Sequence, residues 1–366
     1  MGLTALQHHG GELGAAAVDE YCGATTASGF GDPQAEFAAL RSACGVYDLG
    51  YRAKLSITGE DRVRWLNGIV TNNIRDLAVG CGVYAFLLNP QGRILGDLYA
   101  YNRRESITVD TDCSQVEKLL ATFDHYIIMD DVEVKNISEQ VTALGISGPK
   151  SEEILRAAGF DPAHLSALEV QDASLSGLSC TILRTDEEQF PAYEIWVTAS
   201  DVQQIWDRLV QAGAVRIGSE AVEMHRIVSG IPRYGVDIRE RDLPQETEQV
   251  RALNFNKGCY IGQEIVERIR SRGAVHRKFT GFLAEDAVSL GSKVLSGDKE
   301  VGEITSAASV NFGNSDAHVA LGYIRREVGS PGREVLIGSA RAKVIQTPLT
   351  QDGLDRNQTS LEQRPA

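Results

Sequence analysis

The chain has 366 residues, enough for two or three domains, and sets 36 Lys and Arg against 50 Asp and Glu for a net charge of −14. An acidic balance of that size argues against general binding to nucleic acid or anionic membranes, so any polyanion has to find a local basic patch. A hydrophobic content of 43% with 23% charged residues fits a folded body and excludes a chain disordered throughout.

Residues 1–31 mix Gly, Ala, Ser and Thr with weak periodicity and are expected to be poorly ordered. Asp32-Pro33 followed by Phe37, Leu40 and Cys44 predicts a capped helix ended by Gly45. Leu55 and Ile57 alternate as in a strand, and Thr58-Gly59-Glu60-Asp61 resembles a capping box ahead of Val63, Leu66 and Ile69. Val83 to Leu88 and Ile94 to Tyr101 flank Asn89-Pro90-Gln91-Gly92, a hairpin whose second arm carries Asp97. A strand at 106–109, a helix at 114–123 and strands at 132–134 and 143–146 keep helices and strands interleaved, which is α+β patterning. A helix at 152–158 and strands at 179–183 and 192–197 follow. Val202, Ile205, Trp206, Leu209 and Val210 then fall on one face of a helix over 201–211, as core residues. From Thr280 to Pro348, short apolar strands punctuated by glycines predict a separate small antiparallel barrel or sandwich, and the polar residues from 350 to 366 are expected to form a disordered tail.

Cys22, Cys44, Cys81, Cys113, Cys180 and Cys259 include no C-x-x-C pair and no Cys/His cluster at zinc spacing, so no permanently bound metal is expected. Scattered cysteines, no secretion or transit signal and no apolar run of spanning length lead us to expect free thiols in the cytoplasm and no membrane segment.

The densest chemistry lies in Lys257-Gly258-Cys259-Tyr260-Ile261-Gly262-Gln263-Glu264. Two glycines bracket a thiol, and a helix is expected from about Gln263. The cation at Lys257, the helix start and Arg268, Arg270 and Arg272 would all favour thiolate over thiol, which makes Cys259 a candidate reactive cysteine. A buried structural cysteine is the alternative. Asp97 is a second candidate, because a carboxylate in an apolar strand is costly unless paired or facing a cavity; otherwise it faces solvent. The run Glu267 to Lys278 concentrates positive charge, and as anything beyond a solvated face it would serve an anionic tail or a contact with tRNA.

The Lys-Gly-Cys-Tyr-x-Gly-Gln-Glu stretch resembles the signature of the YgfZ family of folate-binding proteins, relatives of the glycine-cleavage T-protein (aminomethyltransferase) that support iron-sulfur proteins. Arg226 to Ile238 and Leu243-Pro244-Gln245-Glu246 resemble the same superfamily, and the similarity runs from about Ala43 to Leu349. It implies a cloverleaf of α+β subdomains around a central folate cavity, plus a C-terminal small antiparallel β-barrel. The implied divisions are a folate-binding region at 32–279, with an internal boundary near 148–200, and a barrel at 280–349. Tetrahydrofolate, or a one-carbon-substituted form, is the implied cofactor. Asp97, Glu194 and Tyr193 are then folate contacts, Arg268, Arg270 and Arg272 guide its tail, and Cys259, Lys257 and Asp97 are the candidate catalytic residues. Glu194 suits an aminopyrimidine edge, since a carboxylate accepts two hydrogen bonds, though it could equally face solvent from its strand.

The sequence departs from the aminomethyltransferase pattern by the cysteine at 259, by Val228 in place of a motif Glu and by Val222 in place of an Arg. The expected function is a folate-binding accessory of iron-sulfur cluster assembly or repair, with iron-sulfur client or assembly proteins as partners. The alternatives are a folate-dependent aminomethyl or one-carbon transferase and a factor associated with tRNA modification.

Overall fold

The computed structural model describes residues 2–9, 14–162, 164–175, 177–273, 275–313 and 315–355. The chain forms two compact units, each drawn from three separate stretches. Unit 1 takes Met1–Leu88, Gly96–Val222 and Arg251–Ile261, and unit 2 takes Asn89–Leu95, Glu223–Val250 and Gly262–Ala366.

Unit 1 opens with the short helix α1 (Ala5–His9) and a hairpin of β1 (Ala17–Tyr21) and β2 (Ala24–Gly29). Leu6, Ala24 and Ala27 are buried there. The segment taken from its composition as poorly ordered therefore contributes a paired edge, and weak periodicity hid a strand built of small residues. Asp32 caps α2 (Pro33–Ser42) through its side chain, as its position before a proline predicts. Then come β3 (Gly45–Asp48), β4 (Arg52–Thr58), α3 (Arg62–Ile69), β5 (Gly82–Leu88), β6 (Ile94–Asn102) and β7 (Ile107–Asp112). The capping box expected before α3 does not form: β4 runs through Thr58, and the Asp61 carboxylate receives the backbone N–H of Asp131 instead.

Continuing, the elements are α4 (Val116–Tyr126), β8 (Glu133–Asn136), β9 (Val141–Ser147), α5 (Ser151–Ala157), β10 (Val170–Leu175), β11 (Leu178–Arg184) and β12 (Ala192–Thr198). After them come α6 (Val202–Gln211), β13 (Val215–Ile217) and α7 (Ser219–Ser229). Two sheets result, a five-stranded one in the order β5-β6-β7-β4-β8 and a six-stranded one in the order β10-β11-β12-β9-β3-β13. The amphipathic face of α6 read from sequence, Val202, Ile205, Trp206 and Leu209, packs on the six-stranded sheet with Ile146, Ile195 and Val197. Tyr101, Val170, Leu183 and Trp196 form a smaller buried cluster to which both sheets contribute.

In unit 2, α8 (Gln263–Arg272) leads into a closed barrel of β14 (Arg277–Ala284), β15 (Lys293–Ser296), β16 (Lys299–Asn311), β17 (Asp316–Arg325), β18 (Glu334–Ile337) and β19 (Ala340–Ile345). Of the barrel or sandwich expected from the glycine spacing, the barrel is present. Gly302 on β16 and Gly322 on β17 are part of the reason: a Cβ on either would stand 2.2 Å from a carbonyl oxygen of the facing strand. Only glycine allows so close an approach. Arg226 is buried with Asp237 at 2.7 Å and Ser306 at 2.8 Å, and Ser306 in turn donates to Asp237, so β16 is tied to α7 by charge-assisted bonds. Of the segment expected to form a tail from 350, residues 351–355 form a last helical turn with Leu354 fully buried; residues 356–366 lie outside the described residues. Among the described residues no helix is long and apolar enough to cross a membrane.

Candidate functional site

Charged residues placed two apart on neighbouring strands of the five-stranded sheet line up on one face. Arg52 and Lys54 on β4 stand opposite Asp112 and Asp110 on β7. Arg52 bonds both aspartates, at 2.9 Å and 2.8 Å, and the Lys54 ammonium reaches Asp110 at 2.8 Å with no solvent exposure. Burial alone would raise the Asp110 pKa; Arg52 and Lys54 outweigh it and hold the carboxyl below its usual range.

Tyr99 on β6 pairs with Asp110, so the two-residue repeat of a strand brings Asp97, Tyr99 and Tyr101 to that same face. Asp97 is half-buried and gripped on both oxygens. The Tyr84 hydroxyl donates to Oδ2 at 2.6 Å and the Gln115 amide to Oδ1 at 2.7 Å, while Gln115 Oε1 accepts the Asp97 backbone N–H at 3.0 Å. Burial first, and then the nearby Asp112, push the Asp97 pKa up against the bonds from Tyr84 and Gln115. Burial and Asp97 likewise keep Tyr84 protonated, so it stays a donor. A carboxyl fixed in place with its pKa raised holds a proton more readily than a free carboxylate, which suits a group that exchanges protons.

Glu194 is the second candidate that the structure brings into this network. It lies on β12 of the six-stranded sheet and accepts the Trp196 indole N–H at 2.8 Å. Burial and then Asp110 raise its pKa, opposed by Lys54 and Arg52, the two cations that also hold Asp110. Lys54 sits 5.0 Å from the centroid of Trp196, and Tyr101 meets the same indole edge-on at 5.2 Å. Tyr193 is placed differently from its expected folate contact. The alternation of β12 turns it to the opposite face, where it is 1% exposed in the main core and donates to Glu152.

Sequence reasoning missed Tyr84, Gln115, Arg52, Lys54 and Arg251. The guanidinium of Arg251 stacks 4.6 Å from the Tyr84 ring centroid and 5.9 Å from that of Tyr99, and it pairs with Asp186. The sequence signal for Arg52, Lys54, Asp110 and Asp112 was available, as charges at two-residue spacing inside otherwise apolar strands.

The Lys257 loop is organised differently from its sequence reading. The Lys257 ammonium donates to the carbonyls of Asn67, Val70 and Asn72 at 2.6, 2.5 and 2.8 Å, filling acceptors at and beyond the C-terminus of α3. Burial, and then Arg75, pull its pKa down, whereas three acceptors require all three N–H of the charged form and oppose that pull. In this arrangement Lys257 anchors the loop, with the Tyr260 ring 4.9 Å from its nitrogen. With Lys257 and Tyr260 buried, Cys259 between them is exposed.

Iodoacetamide at neutral pH should accordingly label Cys259 first of the six thiols, as read by mass spectrometry of peptides. Cys44 and Cys180 are buried, and burial raises the thiol pKa of both, that of Cys44 to about 12. Faster labelling of either would contradict this placement.

The expected helix start is present, with Gly262 at φ 82° as the residue before α8. Arg268, Arg270 and Arg272 occupy the exposed second and third turns of α8, and Arg270 lies 3.6 Å from Glu267. They belong to unit 2, whereas Asp97 and Glu194 belong to unit 1. Among the described residues no group of three or more His, Cys, Asp or Glu side chains is arranged to hold a metal ion.

Residues 10–257 match the family described as the GCVT N-terminal domain. The chain belongs to this family. It is 28% identical over 355 residues to an aminomethyltransferase of Rubrobacter xylanophilus, covering 94% of this chain and 93% of that one. An aminomethyltransferase of Bacillus subtilis is 27% identical over 337 residues, covering 87% and 91% respectively. The crystal structure of glycine cleavage system aminomethyltransferase T from Bartonella henselae superposes with a TM-score of 0.85 at 19% identity, over 96% of this chain and 98% of that one. The GCVT fold seen there is the mixed helix-and-strand fold with a closed barrel described above, in agreement with the superfamily resemblance read from the sequence.

Proposed function

We propose that the chain binds tetrahydrofolate, or a one-carbon-substituted form of it, in unit 1 and transfers a one-carbon unit of the aminomethyl class at Asp97. The observation that carries this reading is the Asp97 carboxyl, fixed by Tyr84 and Gln115 with its pKa raised, in a chain of the GCVT family. The residues fit such a cofactor: Tyr84 and Tyr99 are aromatic neighbours of Asp97, and Glu194 supplies a second carboxyl for N–H donors. When bound, tetrahydrofolate supplies the nitrogen that receives the one-carbon unit. Asp97 exchanges a proton at its free lone pairs, Tyr84 and Gln115 hold the plane of the carboxyl, and Arg52 stabilises its charged form.

Purified protein titrated with tetrahydrofolate should be stabilised by about 2.7 kcal/mol at a hundredfold excess over the dissociation constant. Glu194→Gln should weaken that shift, and an aminomethyl donor should be consumed only when the reduced folate is present. Absence of any thermal shift would remove folate from the account.

A second reading is favoured by the exposure of Cys259 in its anchored loop. In the manner of YgfZ, the folate-bound protein would serve the assembly or repair of iron-sulfur clusters, with cluster-bearing or assembly proteins as partners and tRNA contact through α8 as a variant of that role. Cys259→Ser separates the two readings, since it should spare aminomethyl transfer and abolish recovery of iron-sulfur enzymes in cells lacking the protein.

A further inference from the structure

Unit 2 contains a cavity of about 790 Å³ whose wall carries Arg93, Arg239, Arg241, Arg277 and Arg325. The cavity is built by three parts of the chain: the turn after β5, the segment leading to the short helical turn at Pro244–Glu246, and barrel strands β14, β16 and β17. In a chain with a net charge of −14, so many guanidiniums around one hollow call for a count of their partners. Arg277 is satisfied by Asp242 at 2.6 Å and Glu246 at 2.9 Å. Arg239 and Arg241 share a single carboxylate, Glu303, at 3.2 Å and 3.5 Å. Glu300, also on the wall, pairs with Lys293 at 3.0 Å. Arg93 spends one N–H on the Arg241 carbonyl, and among the described residues neither Arg93 nor Arg325 has a carboxylate partner. Arg239 Nε is buried with no acceptor among the described residues.

We propose that this cavity is a binding site for a small oxyanion carrying two or more negative charges, gripped by Arg93 and Arg325 with Arg239 and Arg241 completing the set. Guanidinium forks match carboxylate and phosphate oxygens equally well, and the volume is that of a small-molecule site. Arg277 serves as scaffold: its carboxylates hold it 4.6 Å over the Tyr323 ring, which fixes that side of the wall. The shared chemistry is a polyvalent oxyanion, and two probes separate its sources, pyrophosphate for phosphate-bearing molecules and citrate for polycarboxylates.

Titrating the full chain calorimetrically at low salt should give saturable 1:1 binding of at least one probe, weakening as salt is added. Preference for pyrophosphate or for citrate identifies the source. The double variant Arg93→Gln/Arg325→Gln should raise the dissociation constant at least tenfold. Its melting temperature without ligand should stay unchanged, because Arg325 is exposed and Arg93 donates only to one carbonyl. A charge-matched control in unit 1, Lys135→Gln/Lys150→Gln, which changes no residue of the cavity wall, should bind as the parent does. No saturable binding of either probe overturns the proposal, and so does equal weakening in the control, which would reduce the effect to net charge. If the double variant melts earlier, Arg325→Lys takes its place, keeping the charge and losing the fork, and unchanged affinity in it likewise overturns the proposal.

Discussion

Asp97→Asn is expected to lower the proposed folate-dependent transfer by about 10²- to 10⁴-fold, the usual contribution of a positioned acid or base, while stabilising the protein at neutral pH. The fold should tolerate the change. Oδ1 of the asparagine still accepts from Gln115, and the Tyr84 hydroxyl turns to accept from the new amide. The stability effect follows from proton linkage. The native Asp97 pKa lies above the usual 3.8, so between those two values the folded chain holds more protons than the unfolded one. Stability contributed at this position therefore falls as pH rises through that window and stays lost above it. The asparagine carries no such loss. Melting curves of both proteins should coincide at acidic pH and separate above it, with the variant higher. A variant that melts earlier at pH 7, or that keeps its turnover, would remove Asp97 from the chemistry.

Lys257→Met should be the most damaging single change to the fold. It leaves the carbonyls of Asn67, Val70 and Asn72 without the donor they share, and each buried acceptor left unmade costs about 1–3 kcal/mol before water or relaxation recovers part of it. A net loss of about 3–5 kcal/mol is expected, in the range reserved for broken buried networks. Urea titration reads it directly. Because Thr71 and Asn72 also bond the backbone of Ala252 and Arg251, the loop should loosen as one piece, and protection of its amides against hydrogen exchange should fall together. Normal stability in the variant would mean that the ammonium is not the anchor, and would leave Lys257 as a candidate for chemistry at the neighbouring thiol.

Periodicity and turn chemistry made most elements legible. The amphipathic stripe of α6, the Asn-Pro-Gln-Gly turn between β5 and β6, and the glycine spacing of the barrel each encode one local rule that tertiary packing then obeys. The hairpin of β1 and β2 was not legible, since Ala24, Thr25, Thr26 and Ala27 carry neither bulk nor alternation and are held by burial alone. At the site, Asp97 and Glu194 could be read one residue at a time, because a carboxylate in a strand is itself anomalous. The partners that set their chemistry could not. Tyr84, Gln115 and Arg52 lie 13, 18 and 45 positions from Asp97, and only the strand order brings them to it. Lys257 shows the converse: two residues before a cysteine in sequence, it turns its charge away to a helix end that no local pattern announces.

That helix end also sets a schedule for biosynthesis. Lys257 bonds carbonyls 190, 187 and 185 positions earlier in the chain. At roughly 5–20 residues per second, α3 is synthesised roughly 10–40 s before the ammonium that closes it. Through that interval the nascent unit 1 has a helix whose last carbonyls remain hydrated, and unit 2 has already received Asn89–Leu95 and Glu223–Val250 from the intervening chain. Neither unit is complete until synthesis has passed Ile261. A chain stopped at Val222 or Val250 is therefore not a smaller version of unit 1, but the same unit with its helix end left open to water and to chaperones.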